Sequence, residues 1–448
     1  MNKYSLKIIN FINKIKNTNS NIDLDLTNKI NTEHNLILKI KQIMKTILNS
    51  NTVKFNKEKF NLGKLHSEKY PIMYLFFREY LQSTNEQITI DNYKEFVNWF
   101  NLNQHKLDYD EIYKNISNNK KLLDIFNKMF QINKPRERLH ENLHRNMFVG
   151  LDTIHYSEII DLEEYLIESE FSKIYLYFEK DYDIEDLIIR ILNIVTIMHE
   201  LNKQIIKSET NKLELVIFLG KQRKQTYNND ILTPINVNSG SCFRKILVNI
   251  WREEELEKVL FHELLHFYEC DFHTHNANYK IIKSYISSKF EIQDDDKSNE
   301  SINEMMAILL HMIYQSERLH MNLDMIYGYE IFFSMFQMAK IICFYKGTSY
   351  SSIFKSNPNH IIIKQTTSVL SYYIIKCILL FNINSTLDFL DKVNLKLDNN
   401  NIITYKNYIE TIIDNKDIEV LVDKLIKIYN EIDSYKFISR NLRMSAIS

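Results

Sequence analysis

Glycine and proline are scarce: 6 and 4 residues in a chain of 448. That scarcity excludes glycine-rich phosphate loops, collagen-like repeats and proline-rich linkers. Cysteine is nearly absent too. Cys242, Cys270, Cys343 and Cys377 lie far apart with no C-x-x-C pair, which argues against a disulfide scaffold and for a reducing compartment. No run of about 18 uncharged apolar residues is present, so no membrane span is expected. The nearest approach, 331–345, is short, carries Lys340 and reads as a buried core helix. The opening stretch MNKYSLKIINFINKIKN spreads Lys3, Lys7, Lys14 and Lys16 along its length and lacks the apolar segment of a signal peptide. An excess of charge is missing as well: Lys+Arg is 56, Asp+Glu is 57, and the net charge is −1. Bulk electrostatic binding to nucleic acid or an anionic membrane is therefore not expected. The expectation is a soluble, intracellular protein.

What is present is ordinary for a globular protein: 45% hydrophobic and 25% charged residues. At roughly 100–200 residues per domain, the length allows two or three packed units. Asn, Ile and Lys dominate while Ala is rare, the coding bias of an AT-rich genome and no statement about chemistry. Residues 1–150 read as a helical region of unknown role, with polar breaks at 17–21 and 115–121. The middle region changes character. Residues 173–179 (KIYLYFE), 213–220 (LELVIFLG) and 245–251 (KILVNIW) read as strands, and 235–242 (INVNSGSC) as extended chain. Helical spacing marks 184–201, and a second helix is expected over 252–270, opened by the acids Glu253, Glu254 and Glu255. From about residue 281 the pattern is helical again. The predicted fold is α+β and predominantly helical: a small mixed sheet packed on one central helix, divided into regions 1–150, 151–280 and 281–448.

That central helix carries the chemistry. Residues 259–268 read VLFHELLHFY, an H-E-x-x-H pattern. His262 and His266, four apart, project from one helical face, and Glu263 stands beside them. Two imidazoles so placed hold one Zn²⁺ per chain, and the Glu takes a proton from water. The pattern alone is weak, because His140–His144 (HENLH) repeats it and His199-Glu200 nearly does. The flanks separate them. Around His140 stand Glu137, Arg138, Arg145 and Asn146, a solvated helix; around His262 the neighbours are apolar. Three titratable groups on an apolar helix are expensive to bury without a purpose.

A third ligand is needed. The extended pattern H-E-x-x-H-x-x-G-x-x-H fails, since Glu269 and Phe272 occupy its Gly and last His positions; His273 and His275 fall off register and read as loop residues. The other source is a later helix, 300–307 (ESINEMMA). Asn303-Glu304-x-x-Ala307 has the N-E-x-x-A form of third-ligand helices, and the small Ala307 permits close approach. Glu304 is thus the expected third ligand, with Glu300, one turn earlier, contacting a ligand His. The converse assignment is open, and so is a capping box between Ser301 and Glu304.

The His262–His266 pair with Glu304 resembles the gluzincin class of zinc metallopeptidases. More narrowly, the ordered series INVNSGSC, Arg252-Glu253-Glu254, KVLFHELLH and ESINEMMA resembles metallopeptidase-like proteins of large nucleocytoplasmic DNA viruses. Their motifs run N-V-N-S-G, R-x-E-E, K-V-x-x-H-E-x-x-H and E-x-x-x-E-x-x-A. The resemblance spans about residues 213–314. It implies a polypeptide substrate hydrolysed by metal-activated water with Glu263 as general base, in a host cytoplasm or a virion. An oxyanion donor is then required. His311, two turns beyond Glu304, is one candidate; Tyr314, His320 and Tyr327 are others, and the sequence does not choose among them. Residues 245–251 would pair with extended substrate, and Asn238 and Gly240 would shape the cleft. Two alternatives stand beside this reading. One is a catalytically weak structural or virion-associated protein that keeps the fold. The other is a nucleic-acid-binding module using Lys54–Lys64 or Lys134–Arg145.

Overall fold

The computed structural model describes residues 3–18, 29–50, 61–65, scattered positions between 139 and 157, 162–179, 184–226, 230–273, 278–294, 297–431 and 436–447. It is a predominantly helical α+β fold. Strands β1 (Asn61–Leu65), β2 (Leu162–Glu168), β3 (Ser172–Glu179), β4 (Leu213–Phe218), β5 (Gly240–Phe243) and β6 (Leu247–Ile250) form one mixed sheet in the order β1-β2-β3-β4-β6-β5. β3, β4 and β6 run parallel, and β5 pairs antiparallel with β6. The parallel centre explains LELVIF in β4: with both faces covered, its residues are almost all buried rather than alternating. Helix α3 (Ile184–Leu201) makes the crossover from β3 to β4, its first turn carrying Glu185 and Asp186 against the helix dipole.

The strand expected over 245–251 is β6, but it is interior. Among the described residues the edge strand of the sheet on this side is β5. The extended reading of 235–242 holds only from Gly240. Pro234–Val237 forms a turn of helix, favoured by Pro at its first position and by Asn236 Oδ1 accepting from Thr233 N and Oγ1.

The central helix α4 (Leu256–Phe267) is shorter than the 252–270 expectation, and all of its residues are buried. Glu255, with φ of 60°, takes the left-handed conformation and marks the start. Its carboxylate does not serve the dipole. It accepts from Met444 N at 2.8 Å and Ser445 N at 2.6 Å, fixing a distant segment. α5 (Tyr279–Lys289) follows, then the long buried helices α6 (Asn299–Leu319) and α7 (Leu323–Phe344). Among the described residues no single helix is long and apolar enough to cross a membrane. Lys340, inside α7, is buried with Nζ 2.7 Å from Asn441 O.

The described parts of 1–150 do not stand apart. α1 (Lys3–Thr18) packs on α7, and α2 (Asn35–Asn49) packs on α3 and α6. Ile8, Ile12, Ile37 and Ile40 join the same apolar core as α4 and α6. That core is continuous across residue 280, because α4 and α6 are direct neighbours. A smaller cluster, Leu139, Leu143 and Ile154 against Tyr177, Val216, Phe218 and Trp251, covers more of the sheet.

Candidate metal centre

α6 runs antiparallel to α4, so its first turn lies beside the end of α4 that holds the two histidines. His262 Nε2 and His266 Nε2 are 3.2 Å apart. Glu300 brings Oε2 to 3.2 Å from the first and 3.3 Å from the second. Two imidazole nitrogens and a carboxylate oxygen thus converge on one point, and this buried group can hold a metal ion. Asn303 Nδ2 donates to His262 O at 3.0 Å and locks the two helices in register. The centre is buried but not sealed: the side chains of His266 and Glu300 are 11% and 12% exposed.

A second ring of charges sets the imidazoles. His262 Nδ1 is 2.8 Å from Glu304 Oε2, and Glu304 Oε1 accepts from Lys258 Nζ at 2.7 Å. His266 Nδ1 is 3.1 Å from Asp271 Oδ1; Asp271 Oδ2 accepts from Asn299 Nδ2 at 2.6 Å and Arg244 Nη2 at 2.7 Å. A carboxylate at Nδ1 keeps the proton there and leaves the Nε2 lone pair for a metal. Burial opposes the charge on Glu304, yet Lys258 and His262 outweigh it and hold the carboxyl well below its usual range. Asp271 behaves alike: burial works against its charge, and His266 and Arg244 prevail. Burial opposes charge on the imidazoles, yet Glu300 and Glu304 raise His262, and Asp271 and Glu300 raise His266, above the usual imidazole range. A proton therefore competes with a cation for the site.

Glu263 lies under the edge strand. A Cβ on Gly240 would fall 2.5 Å from Glu263 Oε1 and 2.7 Å from its Cγ, so only glycine lets β5 lie this close. Burial pushes the Glu263 carboxyl up, and the two histidines pull it partly back. Tyr372, in the π-helical turn Leu370–Ile375, donates its hydroxyl to Glu300 Oε2 at 3.2 Å. Its ring centroid is 6.1 Å from that of His262.

The sequence expectations fare unevenly. His262, Glu263 and His266 come together as expected. Glu300 and Glu304 exchange places: Glu300 meets both Nε2 atoms, and Glu304 stands behind His262. Glu304 makes no capping box with Ser301, whose Oγ donates to Ser298 O. His311 is corrected. Successive turns of the antiparallel α6 move away from the histidines toward the start of α4, and there His311 Nε2 lies 2.9 Å from Gln315 Nε2 and 3.7 Å from Glu257 Oε2. Tyr327 is tied to Leu380 O at 3.1 Å, and Tyr314 packs on Phe261. Asn238 Oδ1 accepts from Thr367 Oγ1 at 2.9 Å, a tie to a loop. His273 pairs at 3.5 Å with Glu269, its side chain 45% exposed. His199 stacks on Phe171. His140, Glu141 and His275 lie outside the described residues, as do positions 54–60 of the first lysine-rich stretch and most of Lys134–Arg145; His144 is exposed. Asp271 and Tyr372 were not singled out from the sequence. Asp271, five residues past His266, carried a usable signal; Tyr372, in the apolar run LSYYII, carried none.

Compared with models of known protein families, with curated proteins and with solved structures, the chain matches none.

Proposed function

We propose that the chain is a zinc-dependent metallopeptidase of gluzincin type. The observation that carries this reading is the convergence of His262 Nε2, His266 Nε2 and Glu300 Oε2 beside Glu263. Bonds of about 2.0–2.1 Å to a tetrahedral zinc put neighbouring ligand atoms about 3.3–3.4 Å apart. The separations of 3.2, 3.2 and 3.3 Å fit that figure. Two His and one Glu are the donor set of a catalytic rather than a structural zinc. Bound there, zinc supplies a Lewis acid for a carbonyl and makes a nucleophile of water at neutral pH.

The remaining chemistry belongs to the chain. Glu263, its pKa raised by burial, takes the proton of the attacking water and delivers it to the leaving amine. The Tyr372 hydroxyl, turning its one proton away from Glu300 Oε2, donates to the developing oxyanion, the role first assigned to His311. The edge of β5 offers backbone groups to an extended peptide, the role first assigned to 245–251. Asp271 and Glu304 keep the two imidazoles aimed.

Glu263→Gln is the direct test. A quenched-peptide library should be cleaved by the wild type and not measurably by the variant, while both hold the same zinc. Equal cleavage by the two would remove Glu263 from the mechanism. A zinc-loaded wild type without cleavage would favour the reading of a metallopeptidase fold kept for structure.

A further inference from the structure

Residues 441–447 run through the interior as a strap. Arg443, Ser445 and Ala446 are 0% exposed and Ile447 is 1% exposed. The strap begins with a β-bridge from Asn441 to Gln225 and a bond from Leu442 N to Lys224 O, and from Met444 on its N–H groups go to buried carboxylates. Met444 N and Ser445 N donate to Glu255 Oε1. Ala446 N and Ile447 N donate to the Glu330 carboxylate, each at 2.9 Å. Asn441 O accepts from Lys340 Nζ at 2.7 Å, and Met444 O from Lys376 Nζ at 3.3 Å. A segment held this way is costly to unseat, because leaving would strip Glu330 of its strap N–H donors and Lys340 of the Asn441 carbonyl, while Glu255 would keep Lys224.

Lys258 joins the strap to the metal centre. Its Nζ donates to Glu304 Oε1 at 2.7 Å and lies 3.6 Å from Met444 Sδ. Spacing of four residues puts Lys258 and His262 on one face of α4. Glu255, the residue before the helix, anchors the strap at that end. Lys258 touches none of the three donor atoms; its reach to them runs through Glu304 and His262 Nδ1.

We propose that Lys258 is a positioning residue that couples the seated strap to the metal centre. With the strap in place, Lys258 is held against Glu304, Glu304 against His262 Nδ1, and His262 Nε2 is aimed at the metal. This rests on reading His262, His266 and Glu300 as a metal centre. Coupling between two sites is reciprocal, so zinc must tighten the strap by the same factor by which the strap tightens zinc.

The test uses the full chain, made metal-free and then loaded with zinc. Hydrogen exchange across 441–447 should slow by about tenfold more than across β4, which reports global opening. Two variants probe the same link. Lys258→Met should weaken zinc about 10–100-fold, the usual effect of losing an outer-layer partner. Glu330→Gln loosens the strap without touching the centre, and should weaken zinc about tenfold while speeding exchange at 441–447. The proposal is overturned if zinc slows the strap no more than β4. It is equally overturned if Glu330→Gln frees the strap and leaves zinc affinity unchanged. Should Lys258→Met not fold, the wild-type exchange data and Glu330→Gln decide. A wild type that binds no zinc overturns the metal reading itself, a different result from a wild type that binds zinc with an indifferent strap.

Discussion

Replacing Glu300 and Glu304 by glutamine, one at a time, separates a ligand from its support. Both are buried carboxylates one turn apart on α6, and both contact His262. They differ in what else they touch. Glu300 Oε2 lies within 3.3 Å of both Nε2 atoms, so the amide removes an anionic donor from the metal. Glu304 reaches the metal only through His262. Loss of such an outer contact weakens metal binding about 10–100-fold, or about 1.4–2.7 kcal/mol. Glu300→Gln should exceed the upper end of that range. Stability should rank the other way. Glu304→Gln leaves Lys258, its side chain 2% exposed, without its carboxylate, and breaking a buried pair in this way costs about 3–5 kcal/mol. Glu300→Gln, at the partly wet end of the cluster, should destabilise the metal-free chain less. The assay is a zinc titration of each metal-free protein against a chromophoric chelator, beside urea unfolding of the same samples. If Glu304→Gln loses more zinc affinity than Glu300→Gln, the assignment of the third ligand is wrong.

Two further outcomes follow from single contacts. Gly240→Ala sets a methyl 2.5 Å from Glu263 Oε1, so the base or the edge strand must shift. Peptide cleavage should fall about 100-fold while zinc content stays at the wild-type level; unchanged turnover would show that β5 does not lie over the base. Glu255 carries a pH dependence. Burial opposes its charge, but Lys224, Lys258 and Arg443 bring the carboxyl down to about 2. A folded pKa below the unfolded value means stability is present above pH 4.5 and is lost as pH falls toward 2. The loss should be on the order of 3 kcal/mol. Urea unfolding of wild type and Glu255→Gln at pH 5 and pH 3 checks it: the gap between the two should narrow at the lower pH, and a constant gap would contradict the assignment.

The sheet and the histidine helix were legible because their signals are local. LELVIF and KIYLYFE name strands by composition, and HELLH in an apolar helix names a buried polar cluster. The exchange of Glu300 and Glu304 was not legible, since both face α4 and only the axial offset of the two helices decides which meets Nε2. The same offset misplaced His311: along α6 it shares a face with Glu304, but the antiparallel packing carries that face toward Glu257. The edge position of β5 needed the strand order, which no single segment encodes. Tyr372 meets Glu300 from 72 residues away, inside the apolar run LSYYII, and the strap at 441–447 lies more than a hundred residues beyond both helices of the centre, with no local signal of its contacts. The acids at 253–255 looked like helix-opening charges, whereas Glu254 and Glu255 bind Lys224 and the strap.

Metal content tests the central claim most directly. Purified full-length protein, never exposed to chelator, should carry about one zinc per chain, and His266→Ala expressed and purified alongside should carry almost none. Zinc absent from the wild type, or retained in full by the folded variant, would contradict the metal centre at His262, His266 and Glu300.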